Sequence, residues 1–128
     1  MEWELVKEVK LLIVEDDMFN RMLIKSSLAK IKNINILEAK DGIEALEILD
    51  QQSIDICLLD LHMPKMNGFE TLKSIRKSLK YKNLSVIVTT SDEIEKKTSL
   101  ALGANDFIAK PFHLEELQSK IYQQLISR

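Results

Sequence analysis

A chain of 128 residues with 45% hydrophobic and 30% charged side chains reads as one globular domain with a sizeable core, neither a disordered segment nor a membrane bundle. Its 20 acidic and 18 basic residues leave a net charge of −2, without the basic excess that a nucleic-acid footprint needs. The longest apolar runs are about four residues against the ~20 of a membrane span, the first residues are charged, and the single cysteine, Cys57, excludes an internal disulfide, so the expected compartment is the cytoplasm.

Residues 1–9 form a polar lead-in, in which Trp3, Leu5 and Val9 are candidates to pack back on the body at 10–128. Residues 10–14 read as a buried strand that stops abruptly at Glu15-Asp16-Asp17. A helix is expected from there to about residue 30, with Met18, Met22, Leu23, Leu28 and Ile31 near the 3.6 period and the methionines read as core. Residues 34–39 look like an edge strand, since Asn35 and Glu38 interleave with apolar positions. Asp41 and Glu44 have the spacing of a capping box opening a second helix.

Residues 56–59 form a continuous apolar run that delivers Asp60 where apolar character ends, the pattern of a central parallel strand covered on both faces. Met63-Pro64 marks a loop, and Asn67, with Glu70 three residues on, caps a third helix reaching to about residue 79. Residues 84–90 are a β-branched fourth strand; Ser91 or Asp92 caps a fourth helix that Gly103 ends. A short fifth strand at 106–109 precedes Lys110-Pro111 and an amphipathic helix over 113–126. The alternation is (βα)5, an α/β doubly wound fold with a five-stranded parallel sheet. Right-handed crossovers leave few topologies; the flavodoxin-like order 2-1-3-4-5 is taken as the expectation by likeness to known doubly wound folds, not selected by the pattern itself.

In that order Glu15, Asp16 and Asp60 converge at the carboxyl edge of the sheet, with Thr90 and Lys110 ending neighbouring strands. Like charges ~5 Å apart at an effective dielectric of ~20 repel by roughly 3 kcal/mol per pair, so such a cluster should hold a proton or a cation. All-oxygen ligands of high charge suit Mg2+. Taken singly each residue has a plainer reading: the acidic run could cap the first helix, Thr90 could serve strand propensity, and Lys110 could be a solvated lysine.

The combination resembles the receiver domain of two-component response regulators. The residues that carry the likeness are 11–16 (Leu-Leu-Ile-Val-Glu-Asp), Leu58-Leu59-Asp60, Met63-Pro64, Asn67-Gly68, Val88-Thr89-Thr90, Gly103-Ala104 and 106–112 (Asp-Phe-Ile-Ala-Lys-Pro-Phe), covering nearly the whole chain from Lys10. The spacing of Asp16 to Asn20-Arg21 is similar to receivers attached to hybrid kinases. The resemblance implies that Asp60 is the phosphoacceptor and that Glu15, Asp16, Asp60 and the His62 backbone carbonyl are Mg2+ ligands. It implies further that Thr90 and Lys110 contact the phosphoryl group, that Thr90 and Phe107 are switch residues, and that Lys110-Pro111 is cis. The sequence departs from the family pattern at Asn67, at His62, and in a Thr90-to-Lys110 segment two residues shorter than usual. The resemblance implies that His62 and Asp92 flank the approach of a hydrolytic water, with His62 bulky enough to occlude it and Asp92 placed either to orient it or to pair with a protonated His62.

The implied function is that of a phosphorelay signalling module rather than an enzyme: a regulatory phosphoacceptor that assists its own phosphorylation and dephosphorylation. Its implied partners are a sensor histidine kinase or histidine phosphotransfer domain and an output partner, with neither nucleic acid nor membrane bound directly. It would be a monomer or a phosphorylation-dependent dimer, and either a stand-alone regulator or a piece of a longer protein. The competing class is a Mg2+-dependent phosphoester hydrolase with Asp60 as nucleophile, which would need His62 as its acid/base group.

Overall fold

Runs of branched aliphatic residues separated by amphipathic helices give the computed structural model a five-stranded parallel sheet; residues 1–127 are described. In chain order the elements are β1 (Val9–Val14), α1 (Met18–Leu28), β2 (Ile34–Ala39), α2 (Gly42–Gln51) and β3 (Ile56–Asp60). They continue with α3 (Gly68–Lys77), β4 (Ser85–Thr90), α4 (Glu93–Ala101), β5 (Asp106–Ala109) and α5 (Leu114–Ile126). The strand order is β2-β1-β3-β4-β5 with every pairing parallel, so the expected doubly wound, flavodoxin-like topology is the observed one.

Successive strand residues point to opposite faces, and both faces are dry. Leu11, Ile13, Ile56, Leu58 and Ile87 join Ile24 and Leu28 of α1 and Leu117 and Ile121 of α5 in one core cluster. Leu12, Val14, Cys57, Leu59, Val86 and Val88 join Ala45 and Leu49 of α2 and Leu72 and Ile75 of α3 in the other. Each fully buried aliphatic side chain contributes about 1.5–3 kcal/mol, so these two layers dominate the stability and make the sheet a rigid support. Burial pushes the Cys57 thiol up to about 12, which makes it an inert core residue.

The helix caps follow from sequence. Asn67 and Glu70 form a full capping box on α3, with Asn67 Oδ1 accepting from the Glu70 amide at 3.0 Å and Glu70 Oε1 from the Asn67 amide at 3.2 Å. On α2, Asp41 accepts from the Glu44 amide at 2.8 Å, but Glu44 reaches one residue further back, to the Lys40 amide at 3.3 Å. Helix α4 is capped by Asp92 rather than Ser91.

Three expectations are corrected. Helix α1 turns Ile24 and Leu28 to the core and leaves Met18, Met22 and Leu23 exposed, because the phase of so short a helix follows its most strongly buried pair. The third helix stops at Lys77, where Ser78 turns extended, and not near residue 79. In the lead-in Leu5 is exposed, whereas Val6 is buried and Trp3 packs edge-on against Tyr122 at 5.1 Å between ring centroids. The Asn33 amide ties this segment down by donating to the carbonyls of Trp3 and Val6 at 2.7 and 2.6 Å. No described helix is long and apolar enough to cross a membrane.

Candidate phosphoryl site at the carboxyl edge of the sheet

Strand register assembles the site. Val14 is aligned with Leu59, so the next residues, Glu15 and Asp60, lie side by side as β1 and β3 end. Asp60 is aligned with Thr89, and Thr90 with Ala109, which sets Thr90 and Lys110 at the ends of the next two strands. The chain leaves Asp60 through a loop that doubles back tightly: the Gly68 amide donates to the Leu61 carbonyl at 3.2 Å, and a Cβ on Gly68 would stand 2.5 Å from the Asp60 carbonyl oxygen. Only glycine fits there, and in the same loop Met66 adopts a left-handed backbone with φ of 51°. The Lys110-Pro111 peptide is cis.

Carboxylate oxygens of Glu15, Asp16 and Asp60 all lie within 4.8 Å of one another; Glu15 and Asp60 are buried and Asp16 is exposed. Lys110 Nζ reaches Asp60 Oδ1 at 3.1 Å and Glu15 Oε1 at 3.2 Å. The His62 amide donates to Asp60 Oδ1 at 3.1 Å, and the Asp17 amide to Glu15 Oε2 at 3.1 Å. Burial holds the Glu15 carboxyl above its usual range, with the Asp60 charge adding to the rise while the Asp17 amide and Lys110 counter it. Asp16 is raised by partial burial and by Glu15 beside it. Burial pulls the Lys110 ammonium down, but Asp60 and Glu15 outweigh it and the net direction is upward. Two of the three carboxylates thus share one ammonium and Asp16 stands beside them, a net negative pocket. Oxygen ligands with one of them on the solvent side fit a hard divalent cation that keeps several waters, as Mg2+ does.

Two further residues complete the site: Arg21, noted in the sequence only for its spacing from Asp16, and Glu95, which the sequence did not single out. Arg21, one turn into α1, donates to the carbonyls of Glu15 and Asp16 at 2.7 and 3.3 Å and pairs with Glu38 at 3.1 Å, which fixes the acidic loop. Glu95, in the first turn of α4, accepts from the Thr90 hydroxyl at 2.8 Å through the same oxygen that lies 2.5 Å from His62 Nε2. Glu95, and not Asp92, is therefore the partner of His62: the Asp92 carboxylate is occupied in accepting from the Ile94 amide at 2.8 Å. The signal for Glu95 was its place three residues after the cap, where an acidic residue ordinarily turns to the helix end.

The His62 side chain is 61% exposed and borders an open cleft of about 510 Å³ with Asp16, Met63, Pro64, Phe69 and Glu95. A hollow of similar size, about 550 Å³, lies at the opposite edge of the sheet around Ile54, Lys80 and Tyr81 and touches none of these groups. Phe107 is half-buried beneath two ammonium groups, Lys96 Nζ at 3.8 Å and Lys120 Nζ at 4.2 Å from its ring centroid. It is thereby held between α4 and α5.

A doubly wound sheet carrying an acidic trio and a lysine at its switch point defines a class of α/β domains built around an anionic pocket that could hold a metal ion. Within that class the chain belongs to the response regulator receiver domain family, whose family model matches residues 11–122. It is 34% identical over 116 residues to a chemotaxis protein CheY homolog of Campylobacter jejuni, covering 88% of this chain and 89% of that one. It is 40% identical over 114 residues to the transcriptional regulatory protein CpxR of Escherichia coli, of which it spans 47%, again with 88% of this chain covered. Among solved structures, a putative response regulator from Chloroflexus aurantiacus superposes with a TM-score of 0.88 at 29% identity, covering 94% of this chain and 99% of that one. The receiver domain of a sensor histidine kinase from Pseudomonas aeruginosa, solved with magnesium coordinated in its active site cleft, superposes with a TM-score of 0.83. The identity is again 29%, with 94% of this chain and 98% of that one covered.

Proposed function

We propose that this receiver domain accepts a phosphoryl group from a phosphohistidine onto Asp60 and reports it through α4, β5 and α5. The observation that carries the reading is the Lys110 ammonium 3.1 Å from a buried Asp60, inside a trio of carboxylates. The Asp60 carboxylate attacks phosphorus, a P–O bond forms as the P–N bond to the donor imidazole breaks, and the electron pair stays on the imidazole nitrogen. Asp60 then carries an acyl phosphate. Lys110 pairs with a phosphoryl oxygen in place of the Asp60 oxygen it now holds, and the Thr90 hydroxyl donates to another. Glu15, Asp16, Asp60 and the backbone carbonyl of His62 would hold Mg2+, which supplies positive charge to the phosphoryl oxygens.

In this reading residues 10–128 form the receiver unit and 1–9 its lead-in, whose last residue, Val9, already belongs to β1. The donor is a sensor histidine kinase or a histidine phosphotransfer domain. Thr90 and Phe107 are the switch pair, and the altered face engages an output partner or a second copy of the chain. The hydrolase reading needs His62 as its acid/base group, and this imidazole is 61% exposed and turned to Glu95 on α4; phosphate turnover decides between the two readings.

The test is incubation with acetyl phosphate and Mg2+ followed by intact mass. One added phosphoryl group near 1:1, absent from Asp60→Asn and in excess EDTA, is the expected outcome. Full labelling of Asp60→Asn overturns the assignment, and continuous phosphate release beyond one equivalent points to a hydrolase.

A further inference from the structure

The one proton of the Thr90 hydroxyl is committed in this structure, and not to Asp60. It donates its one proton to Glu95 Oε1 at 2.8 Å and accepts from the Asp92 amide at 3.1 Å. The second bond is unusual in its donor. Asp92 is the N-cap of α4, and Glu95 stands three residues on, the spacing at which a glutamate normally accepts from the N-cap amide. Glu70 does so on α3, and Glu44 binds the amide just before its cap on α2. Glu95 alone of the three turns away from its helix end, toward Thr90 and His62, and the Thr90 oxygen fills the place it leaves.

We propose that Glu95 is a positioning residue with two homes: it holds the Thr90 hydroxyl outward in the resting protein, and it takes over the Asp92 amide when Thr90 turns to a phosphoryl group on Asp60. This rests on the proposed phosphoacceptor role of Asp60. A hydroxyl has one proton, so a phosphoryl oxygen and Glu95 compete for it, and two negative groups at one site drive the carboxylate away. Once Thr90 leaves, the Asp92 amide loses its acceptor and Glu95 its donor. The capping-box geometry lets each satisfy the other, so no donor is stranded in either state. The exchange also breaks the contact between Glu95 and His62, which joins the loop after β3 to α4. Helix α4 is suited to respond, because Ser99 is its one buried residue and Ile94 is 77% exposed.

The test follows the Asp92 amide by hydrogen exchange, in NMR spectra of the intact chain. In Thr90→Val, which keeps the β-branched shape and lacks the hydroxyl, Glu95 should already cap, so that Asp92 stays protected. In Thr90→Val/Glu95→Ala protection should fall about five- to tenfold, the worth of one helix-cap hydrogen bond. Equal loss in the single and double variants overturns the second home. With beryllofluoride and Mg2+, an acyl-phosphate mimic, wild type should retain protection while Glu95→Ala loses it. Retention in Glu95→Ala overturns the exchange. If wild type gives no beryllofluoride response at all, the phosphoacceptor reading falls and the coupling with it, whereas the Thr90→Val pair still decides whether Glu95 can occupy the cap.

Discussion

Lys110 shows how much a single side chain carries at this site. Its ammonium stands between two buried carboxylates, and their attraction raises its pKa above that of an ordinary lysine despite the cost of burial. A cation whose folded pKa is raised contributes stability in full below its unfolded pKa and loses it only as pH rises through the folded value. At neutral pH the contribution is therefore complete. Lys110→Met leaves Asp60 and Glu15 facing each other with no counter-charge. The expected destabilisation at pH 7–8 is about 1–3 kcal/mol, less than for a fully enclosed pair because the lysine is a quarter exposed. Since burial holds Glu15 above the usual carboxylate range, that deficit should shrink as pH falls through this range and Glu15 takes up its proton. Urea unfolding of wild type and variant at pH 5 and pH 8 measures it, and an equal deficit at both would show that packing rather than charge is responsible. The same lysine illustrates what sequence could tell: alone it was an ordinary surface residue, and only its place after a strand beside two acidic strand ends marked it. Glu95 and Arg21 had no such mark: both stand inside the first turns of helices, where a charged residue ordinarily serves the helix end or solvent, and their contacts with His62 and Glu38 appear only once the chain is folded.

At the scale of elements, the strands were legible because burial on both faces leaves uninterrupted aliphatic runs, and β2 and β5 fall on the residues expected for them. The face of a helix is a weaker signal. Met18, Met22 and Leu23 match a 3.6 period, yet they point outward and, with Phe19, make an apolar surface on α1 exposed between 48% and 66%. That surface begins one residue after Asp17, the cap that follows Glu15 and Asp16, so it starts at the end of α1 nearest the acidic loop. An exposed apolar cluster of this kind is the mark of a docking face, and under the function proposed above the partner that would use it is a protein phosphodonor. Replacing Phe19 and Met22 together with alanine is expected to slow phosphotransfer from a histidine-phosphorylated protein by tenfold or more, the worth of one or two interface anchors. Labelling by acetyl phosphate, which needs no protein contact, should stay within about twofold, and the fold should be unaffected because neither side chain is buried. Equal slowing with both donors would place the fault in the pocket rather than on the helix.

The whole molecule holds an electrostatic conflict at one edge of an otherwise well-satisfied structure. No buried side-chain polar atom among the described residues lacks a hydrogen-bond partner, yet three carboxylates crowd one ammonium. Such a site trades stability for reactivity, and relieving it should strengthen the fold. Because Glu15 and Asp16 are raised relative to the unfolded chain, the folded protein binds their protons more tightly. Their contribution is fully present at acid pH and is lost as pH rises from the ordinary carboxylate range through the raised values. At neutral pH, without a divalent cation, the conflict is at its greatest. Asp60→Asn removes one of the charges that raise Glu15 and leaves Lys110 free to pair with it. Relief on the order of 1–2 kcal/mol should raise the melting temperature by about 3–8 °C at pH 7.5 in EDTA. Mg2+ should raise wild type by a comparable amount and narrow the gap to the variant, since both act on the same charge, and at pH 4 the difference should largely vanish. A neutral or destabilising Asp60→Asn in EDTA at pH 7.5 would mean that Lys110 already balances the trio, and the pocket would then have no electrostatic need of a cation.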